Sequence, residues 1–460
     1  MSKSTTKCKK RHFTPRATLV ALGLKIRQLE VLRPLAEGVH IKQKVIDHRP
    51  IDKLVDGLAT ILSGARGLVE ANKRVRPDKA IQRAFGRRGC AEQSVISQTL
   101  DACTPENVEQ MEQAVAEIYR QHGRGYRHNY DQELQLLDVD MTGQPCGKRA
   151  AFATKGFFAK QRNRRGRQLG RVLATWYEEI VVDRLHDGKT QLPVVFQALV
   201  LAAEQVLELD ESRRQRTILR VDAHGGSRDD VNWALSRGYH LHTKEYSGDR
   251  AANLAETVVT WHNDPKVPGR QVGWVTAEPQ EYVRPLTRIA VRTRKKNGQW
   301  GVGVLLSTLP ARDVILLARM PIDRLQDPLA VLLAYVYFYD LRGGAIETEI
   351  KEDKQGLGIT KRNKKRFPAQ QMMVQLNVLA HNLIVWSRHW LAPHCDRVKS
   401  LGILRMLRDV FHLAGLVRFG KGGRIKCIVL QQTDPFASSL HRGLQSLLAP
   451  LQVDVILDEI

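Results

Sequence analysis

Two short apolar runs that each stop on an aspartate set the framework of this chain. The first is Leu134-Gln135-Leu136-Leu137-Asp138-Val139-Asp140, and the second is Thr217-Ile218-Leu219-Arg220-Val221-Asp222. A run of that length, mostly apolar and bounded by polar residues, reads as a buried strand. The pattern around them alternates. Gly170–Thr175 and Glu179–Leu185 read as strands, and Pro193–Leu207 as a helix. Asp229–Arg237 reads as a helix stopped by Gly238, and Tyr239–Lys244 as a further strand. Strands interleaved with helices predict an α/β layer sheet. Carboxylates at the strand ends of such a sheet gather at the crevice where ligands bind.

The flanking segments differ in character. Residues 1–16 are basic and polar and read as a disordered tail. Residues 17–130 read as a helical domain. Leu19, Leu22, Leu24, Ile26, Leu29 and Leu32 form one apolar stripe there, and Leu54, Leu58, Leu62 and Leu68 another. Thr104-Pro105 caps a further helix. Asp78–Phe85, Gly86–Cys90 and Ala91–Leu100 could form a helix-turn-helix, but two packed helices with a solvated basic loop is the slightly preferred reading, because no signature fixes the turn. An α/β core is expected over 131–250 and 321–395, split by a β-rich insertion at 251–320. In that insertion Gln271–Ala277, Leu286–Arg294, Gly301–Ser307 and Val314–Met320 read as β segments, with Asn297-Gly298 as a hairpin turn. Arg288, Arg292 and Arg294 share one face of their strand, so a basic outer face is expected. Asp327-Pro328 caps an apolar helix that runs to about Leu341. Gly343-Gly344 interrupts it, and helix resumes through Lys354. Met372–Leu391 reads as a long amphipathic helix. Residues 396–460 read as a small α+β region with a hairpin at Gly420–Gly423.

Charge narrows the function. Lys+Arg is 72 and Asp+Glu is 48, a net charge of +24. So large a surplus calls for an acidic partner, nucleic acid first and an anionic membrane second. The longest apolar run, Leu329–Tyr339, has 11 residues. About 20 are needed to span a bilayer. No apolar stretch of a signal peptide follows the basic N-terminus. A soluble, intracellular protein without a membrane partner is expected. The cysteines, at 8, 90, 103, 146, 395 and 427, form no CxxC pair, which argues against a disulfide framework or a zinc site. His240, His242 and His394 read as structural or surface residues. Basic charge with only 6% aromatics disfavours a carboxylate-pair glycosidase. Two basic runs suit backbone phosphates, a solvated loop being the plainer alternative. One holds Lys155, Lys160, Arg162, Arg164, Arg165, Arg167 and Arg171, and the other Lys361, Arg362, Lys364, Lys365 and Arg366.

A third carboxylate, Glu347, sits in Tyr-Asp-Leu-Arg-Gly-Gly-Ala-Ile-Glu-Thr-Glu-Ile-Lys-Glu-Asp-Lys, residues 339–354. Three converging carboxylates repel unless cations neutralise them, and hard oxygen donors suit Mg²⁺ or Mn²⁺. Two such ions about 3.5–4 Å apart can hold the attacking and leaving oxygens of a phosphodiester in line.

In order and spacing, residues 134–391 resemble a bacterial insertion-sequence DDE transposase with a ribonuclease-H-like catalytic domain. Asp140-Met141-Thr142 matches the first aspartate with its following threonine, and Asp222 matches the second. Tyr339, Arg342, Glu347 and Lys354 match the tyrosine, arginine, glutamate and lysine of the last helix in order. Four residues separate Arg342 from Glu347 where the family usually has three, and Gly343-Gly344 fall in that gap. The resemblance implies an enzyme that hydrolyses DNA at mobile-element ends and transfers the freed strand to target DNA. Asp140, Asp222 and Glu347 would be catalytic and hold two Mg²⁺ (or Mn²⁺) ions. Lys354, Arg342 and Tyr339 would contact DNA, with Arg162, Arg164, Arg165, Arg167, Lys361, Arg362, Lys364 and Lys365 beside them. The implied partners are double-stranded DNA, as terminal inverted repeats and target, and a second copy in a homodimeric synaptic complex. The implied location is the cytoplasm, at the nucleoid. Trp300, by the hairpin turn, packs in the core or stacks on an unpaired base. The rival is a non-enzymatic DNA-binding protein derived from an inactive transposase.

Two choices concern neighbouring acids. Asp138 and Asp140 project to the same side of a strand, so strand geometry does not choose between them. Glu349 lies about 200° from Glu347 on a helix, so a solvated Glu349 is expected.

Overall fold

The computed structural model describes residues 11–460, apart from 157, 159, 160, 162, 278–280 and the side chain of His224. The fold is mixed α/β. Two compact units divide it, one of Arg124–Gly143 and Thr154–Thr348, the other of Met1–Gly123, Gln144–Ala153 and Glu349–Ile460. This division differs from the five segments expected from the sequence.

The first unit is built on one mixed sheet. Its strands are β1 (Gln135–Pro145), β2 (Thr154–Lys155), β3 (Arg165–Ala174), β4 (Glu179–Asp187) and β5 (Thr217–Val221). β6 (His240–Lys244), β7 (His262–Asn263), β8 (Arg270–Trp274), β9 (Thr287–Arg294) and β10 (Trp300–Ser307) follow. The order is β2-β3-β1-β5-β6-β10-β9-β8-β7, with β4 beside β3. β1, β5 and β6 are parallel neighbours, and β5 is buried along its whole length. Burial of both faces is why such strands read as near-continuous apolar runs.

Helices cover the sheet. α1 (Leu192–Leu207) lies over β3 and β4. It comes so close at Gly170 that a Cβ there would sit 2.6 Å from a Leu199 methyl. α2 (Arg228–Ser236) packs on α1 and β6. α3 is Ala311–Leu317, where the sequence predicted a strand over Val314–Met320. Val314 and Ile315 are adjacent yet both buried, while Leu316 is exposed. That is the pattern of a helix lodged on α4 (Pro328–Asp340), and tertiary packing overrides the β-branched run. α4 is apolar all round and joins Leu136, Ile218, Ile289 and Leu305 in the core. Asp327 caps it, accepting from the amides of Leu329 at 3.0 Å and Ala330 at 3.2 Å.

β7 to β10 fall within residues 251–320 and pair in one antiparallel run. That run is continuous with β1, β5 and β6 because β10 pairs with β6. Gly298 makes the hairpin turn at φ +81°. The basic outer face of β9 is smaller than expected. Arg288 is buried, 5.6 Å from the Tyr282 ring, which leaves Arg292 and Arg294 outward.

In the second unit Phe367–Leu391 is a helix buried on nearly every side. It was expected in the catalytic core. Its apolar faces are instead covered by helices Pro50–Leu62, Gln93–Ala102 and Pro105–His122. A four-stranded sheet completes the unit, in the order Arg11–Thr14, Gly415–Phe419, Ile425–Gln431 and Asp454–Asp458. Residues 11–14 are therefore a paired strand and not a disordered tail. Thr14 also donates to Asp78 at 2.6 Å. Residues 1–10 lie outside the described residues.

The suggested helix-turn-helix resolves into packed helices. Lys79–Ala84 packs on helix Ala17–Gln28, whereas Gln93–Ala102 packs on Pro50–Leu62 and the long helix. Gln93–Ala102 carries no Lys or Arg. Arg87 between them is buried against Asp56 at 2.9 Å and Asp52 at 3.2 Å. Among the described residues, no helix is long and apolar enough to cross a membrane. Cys90, Cys103, Cys146, Cys395 and Cys427 are buried. Burial pushes the Cys90 and Cys103 thiols up to about 12.

Candidate active site

β1 and β5 run in register through Val139 and Val221. The next residues, Asp222 just past the end of β5 and Asp140 within β1, which continues to Pro145 instead of ending at the acid, therefore stand at the same level of adjacent parallel strands, about 4.8 Å apart along the hydrogen-bonding direction. β5 and β6 are in register through Arg220 and His242, which sets Lys244 at the level of Asp222. Asp140, Asp222 and Lys244 thus form one row of charge across the end of the sheet.

Asp140 takes a hydrogen bond from the Met141 amide at 2.7 Å and lies 2.9 Å from an Arg342 terminal nitrogen. Burial pushes its carboxyl up to about 6. The Asp222 and Glu347 charges push the same way, and Arg342 opposes them. Arg342 is itself buried. Its other terminal nitrogen donates to Glu347 at 2.9 Å. Burial alone would lower its affinity for the proton, but Asp140 and Asp222 hold it above the usual value.

The extra residue before Glu347 is absorbed between α4 and α5 (Ile346–Glu352). Gly343 donates to the Asp340 carbonyl at 3.1 Å and Ala345 to the Arg342 carbonyl at 3.1 Å. This tight turn keeps Arg342 on both acids despite the changed spacing. Tyr339 stays in the same field: burial raises its hydroxyl pKa, and Asp222, Glu347 and Asp140 add to the rise.

Lys244 was not singled out from the sequence. Its ammonium lies 4.4 Å from the centre of the Tyr339 ring, and burial lowers its pKa. The available signal was a lysine ending a strand parallel to an Asp-terminated one.

Asp138 and Asp140 are separated by their partners. Asp138 is fully buried and gripped by Arg220 through bonds of 2.6 and 2.7 Å, with Thr175 donating at 2.9 Å. Arg220 also donates to the Phe338 carbonyl at 2.7 Å. Asp138 is thereby occupied inside the sheet, and Asp140 opens toward Arg342. The expectation of a solvated Glu349 is corrected. Glu349 is buried with its carboxylate 3.9 Å from His381, whose other nitrogen lies 2.8 Å from Asp353. Helix period alone did not show that this face of α5 is also covered. Lys354 is half-buried in the π-helical turn Asp353–Leu357.

The basic runs divide by burial. Arg164 and Arg165 are exposed, but Arg167 and Arg171 are buried, Arg171 on Asp183 at 2.8 Å. Arg162 lies outside the described residues. Lys361 and Lys365 are exposed. Arg362 is buried and donates to Asn377 at 3.2 Å and to the Leu357 and Ala65 carbonyls, and burial lowers it to about 10. Lys364 is buried beside Ser97, 3.4 Å from Asp101. These side chains pack the interior and are withdrawn as DNA contacts. Trp300 is 37% exposed and not in the core. It lies 4.6 Å from Arg292, which also covers Trp261 at 4.1 Å. His242 is wholly buried, bonded to Ser307 and to the Tyr335 carbonyl, and burial lowers it to about 3, in keeping with a structural histidine.

Among the described residues no three His, Cys, Asp or Glu side chains form a close ligand cluster. Arg342 supplies the positive charge between Asp140 and Glu347. The donor set nonetheless suits a hard divalent cation, because mutually repelling carboxylates are what such an ion neutralises.

No protein-family model matches the chain. Nor does any curated protein sequence. Among solved structures it is similar to a cryo-EM structure of piggyBac transposase, a synaptic complex with hairpin DNA. The TM-score is 0.44 at 11% identity, over 96% of this chain and 83% of that one.

Proposed function

We propose that this protein is a metal-dependent DDE transposase of the bacterial insertion-sequence type, with a ribonuclease-H-like core. The observation that carries the reading is the pairing of Asp140 with Asp222 at equal height on adjacent parallel strands, with Arg342 linking Asp140 to Glu347. The strand order β4-β3-β1-β5-β6, antiparallel between β4 and β3 and parallel from β1 to β6, supports such a core.

Asp140, Asp222 and Glu347 would hold two Mg²⁺ or Mn²⁺ ions, which supply Lewis-acid charge and an activated water. Lys244 and Arg342 would hold the oxygens of the scissile phosphate. Water adds to phosphorus and the bond to the 3′ oxygen breaks, leaving a 3′-hydroxyl on the element end and a 5′-phosphate on the flank. That hydroxyl then attacks a target phosphodiester and displaces the target's own 3′ oxygen. Element ends and target DNA are the partners, and two copies would pair two ends.

The test is strand cleavage of DNA carrying the sequences that flank the gene, with and without Mg²⁺. Asp222→Asn should abolish cleavage and leave DNA affinity equal or higher, since removing an anion near phosphates does not weaken attraction. Cleavage at the wild-type rate in that variant removes Asp222 from the site. Tight DNA binding with no cleavage under any divalent ion would favour the non-enzymatic reading, for which an arginine already neutralising the acids is the one supporting observation.

A further inference from the structure

The second unit contains a cleft of about 550 Å³ that the proposed chemistry does not use. Arg27, Arg83, Arg88 and Arg424 line it, with Gly422 and Gly423 at its rim, and no carboxylate is among its lining residues. Arg87 in the same wall shows the contrast, because its charge is met by Asp56 and Asp52. Among the described residues the other four arginines have no carboxylate partner. Arg27 instead donates to the Arg83 carbonyl at 3.4 Å, which leaves four like charges facing one space.

The scaffold holds them there. Arg27 lies on helix Ala17–Gln28 and Arg83 on helix Lys79–Ala84, which pack on each other. Arg424 comes from the hairpin whose strands are Gly415–Phe419 and Ile425–Gln431. Its turn is possible because Gly422 and Gly423 both take positive φ, +67° and +74°. A Cβ on Gly423 would lie 3.4 Å from the Arg83 guanidinium, so the bare backbone lets that side chain reach the cleft.

We propose that this cleft is a phosphate site that takes the sugar-phosphate backbone of duplex DNA outside the reacting strand. Guanidinium forks match pairs of phosphate oxygens. Its lining residues include no aromatic ring to stack a base, and Arg27, Arg88 and Arg424 are exposed to solvent. That suits a backbone contact better than a nucleotide pocket. The inference rests on DNA being the partner.

The test compares wild type with Arg88→Ala/Arg424→Ala by fluorescence anisotropy on a duplex of about 30 base pairs, without metal, across 50–200 mM salt. Arg424→Gln alone, on an exposed hairpin, serves if the double variant is unfolded by circular dichroism. The slope of log K against log salt should fall by about 0.9 for each lost phosphate contact. Inorganic pyrophosphate, titrated calorimetrically, should bind weakly to both proteins. An unchanged slope in both variants overturns the cleft proposal. So does tight pyrophosphate binding that the double variant loses while its DNA slope stays put, which would mark a small-anion pocket. A wild type that binds no duplex removes DNA as the partner altogether. A wild type that cleaves DNA while the variants keep its slope leaves the transposase reading standing and removes only the cleft.

Discussion

The guanidinium of Arg342 lies 2.9 Å from the Asp140 carboxylate and, through its second terminal nitrogen, 2.9 Å from Glu347. A divalent ion and this arginine would compete for the same carboxylate charge. Arg342→Gln should therefore bind Mn²⁺ several-fold more tightly than wild type, while cleavage falls because phosphate loses a cationic partner. Calorimetric titration of Mn²⁺ into both proteins checks this. Equal affinities would mean that the arginine does not compete.

The pH response of Asp140 follows from its carboxyl being pushed up to about 6. An unfolded aspartate titrates near 3.9, so the native state holds the proton more tightly. Metal-free stability should therefore fall as pH rises from about 4 to about 6 and level off above, by on the order of 1–3 kcal/mol. Asp140→Asn should lack that fall. Melting temperatures across this range for the two proteins decide it. Protons also compete with metal below about pH 6, so Mn²⁺ affinity should drop about tenfold per unit there.

Asp138 and Asp140 should fail differently. Asp138→Asn leaves the buried Arg220 without its carboxylate. Breaking a buried pair in this way costs about 3–5 kcal/mol. Asp140→Asn should lose cleavage without a comparable loss of stability. Urea denaturation beside a cleavage assay separates them. A stable but inactive Asp138→Asn would place Asp138 at the metal site.

Glu347 and Glu349 should divide along the same line. The Glu347 side chain is 55% exposed. Glu347→Gln should abolish Mg²⁺-dependent cleavage with its melting temperature unchanged. Glu349 is buried beside His381, so Glu349→Gln should lower the melting temperature and keep cleavage within a few-fold of wild type. The reverse pattern would put Glu349 on the metal.

The basic run after β1 should also split. Arg164→Ala/Arg165→Ala, at exposed positions, should flatten the salt dependence of DNA binding by about 0.9 per lost phosphate contact. Arg167→Ala, at a buried position, should lower stability and leave that slope alone. Anisotropy across a salt series, with melting curves on the same samples, reads both.

Much of the framework was legible because it is encoded locally. The apolar runs ending at Asp140 and Asp222, the Asp327 cap, the Asn297-Gly298 turn and the C-terminal hairpin all follow from periodicity and turn chemistry. Val314–Met320 misled because a β-branched run is locally compatible with a strand, and only contact with α4 makes it helical. The strand at Arg11–Thr14 was hidden because its partner lies some 400 residues away.

The sequence by itself determined the order and spacing of the acids and that each follows a buried apolar run, although only Asp222 stands at a strand end, β1 continuing past Asp140 to Pro145. Tertiary structure alone decided what each of them meets. Asp138 and Arg220 neutralise each other because parallel pairing sets β5 beside β1, and nothing within either strand encodes that neighbour. Glu347 reaches Arg342 because the turn at Gly343-Gly344 folds α5 back. Arg167, Arg362, Lys364 and Glu349 are interior because distant segments cover them. Periodicity defines the faces of an element, but the elements packed against it decide which faces meet water, and with them which charges are left for a ligand.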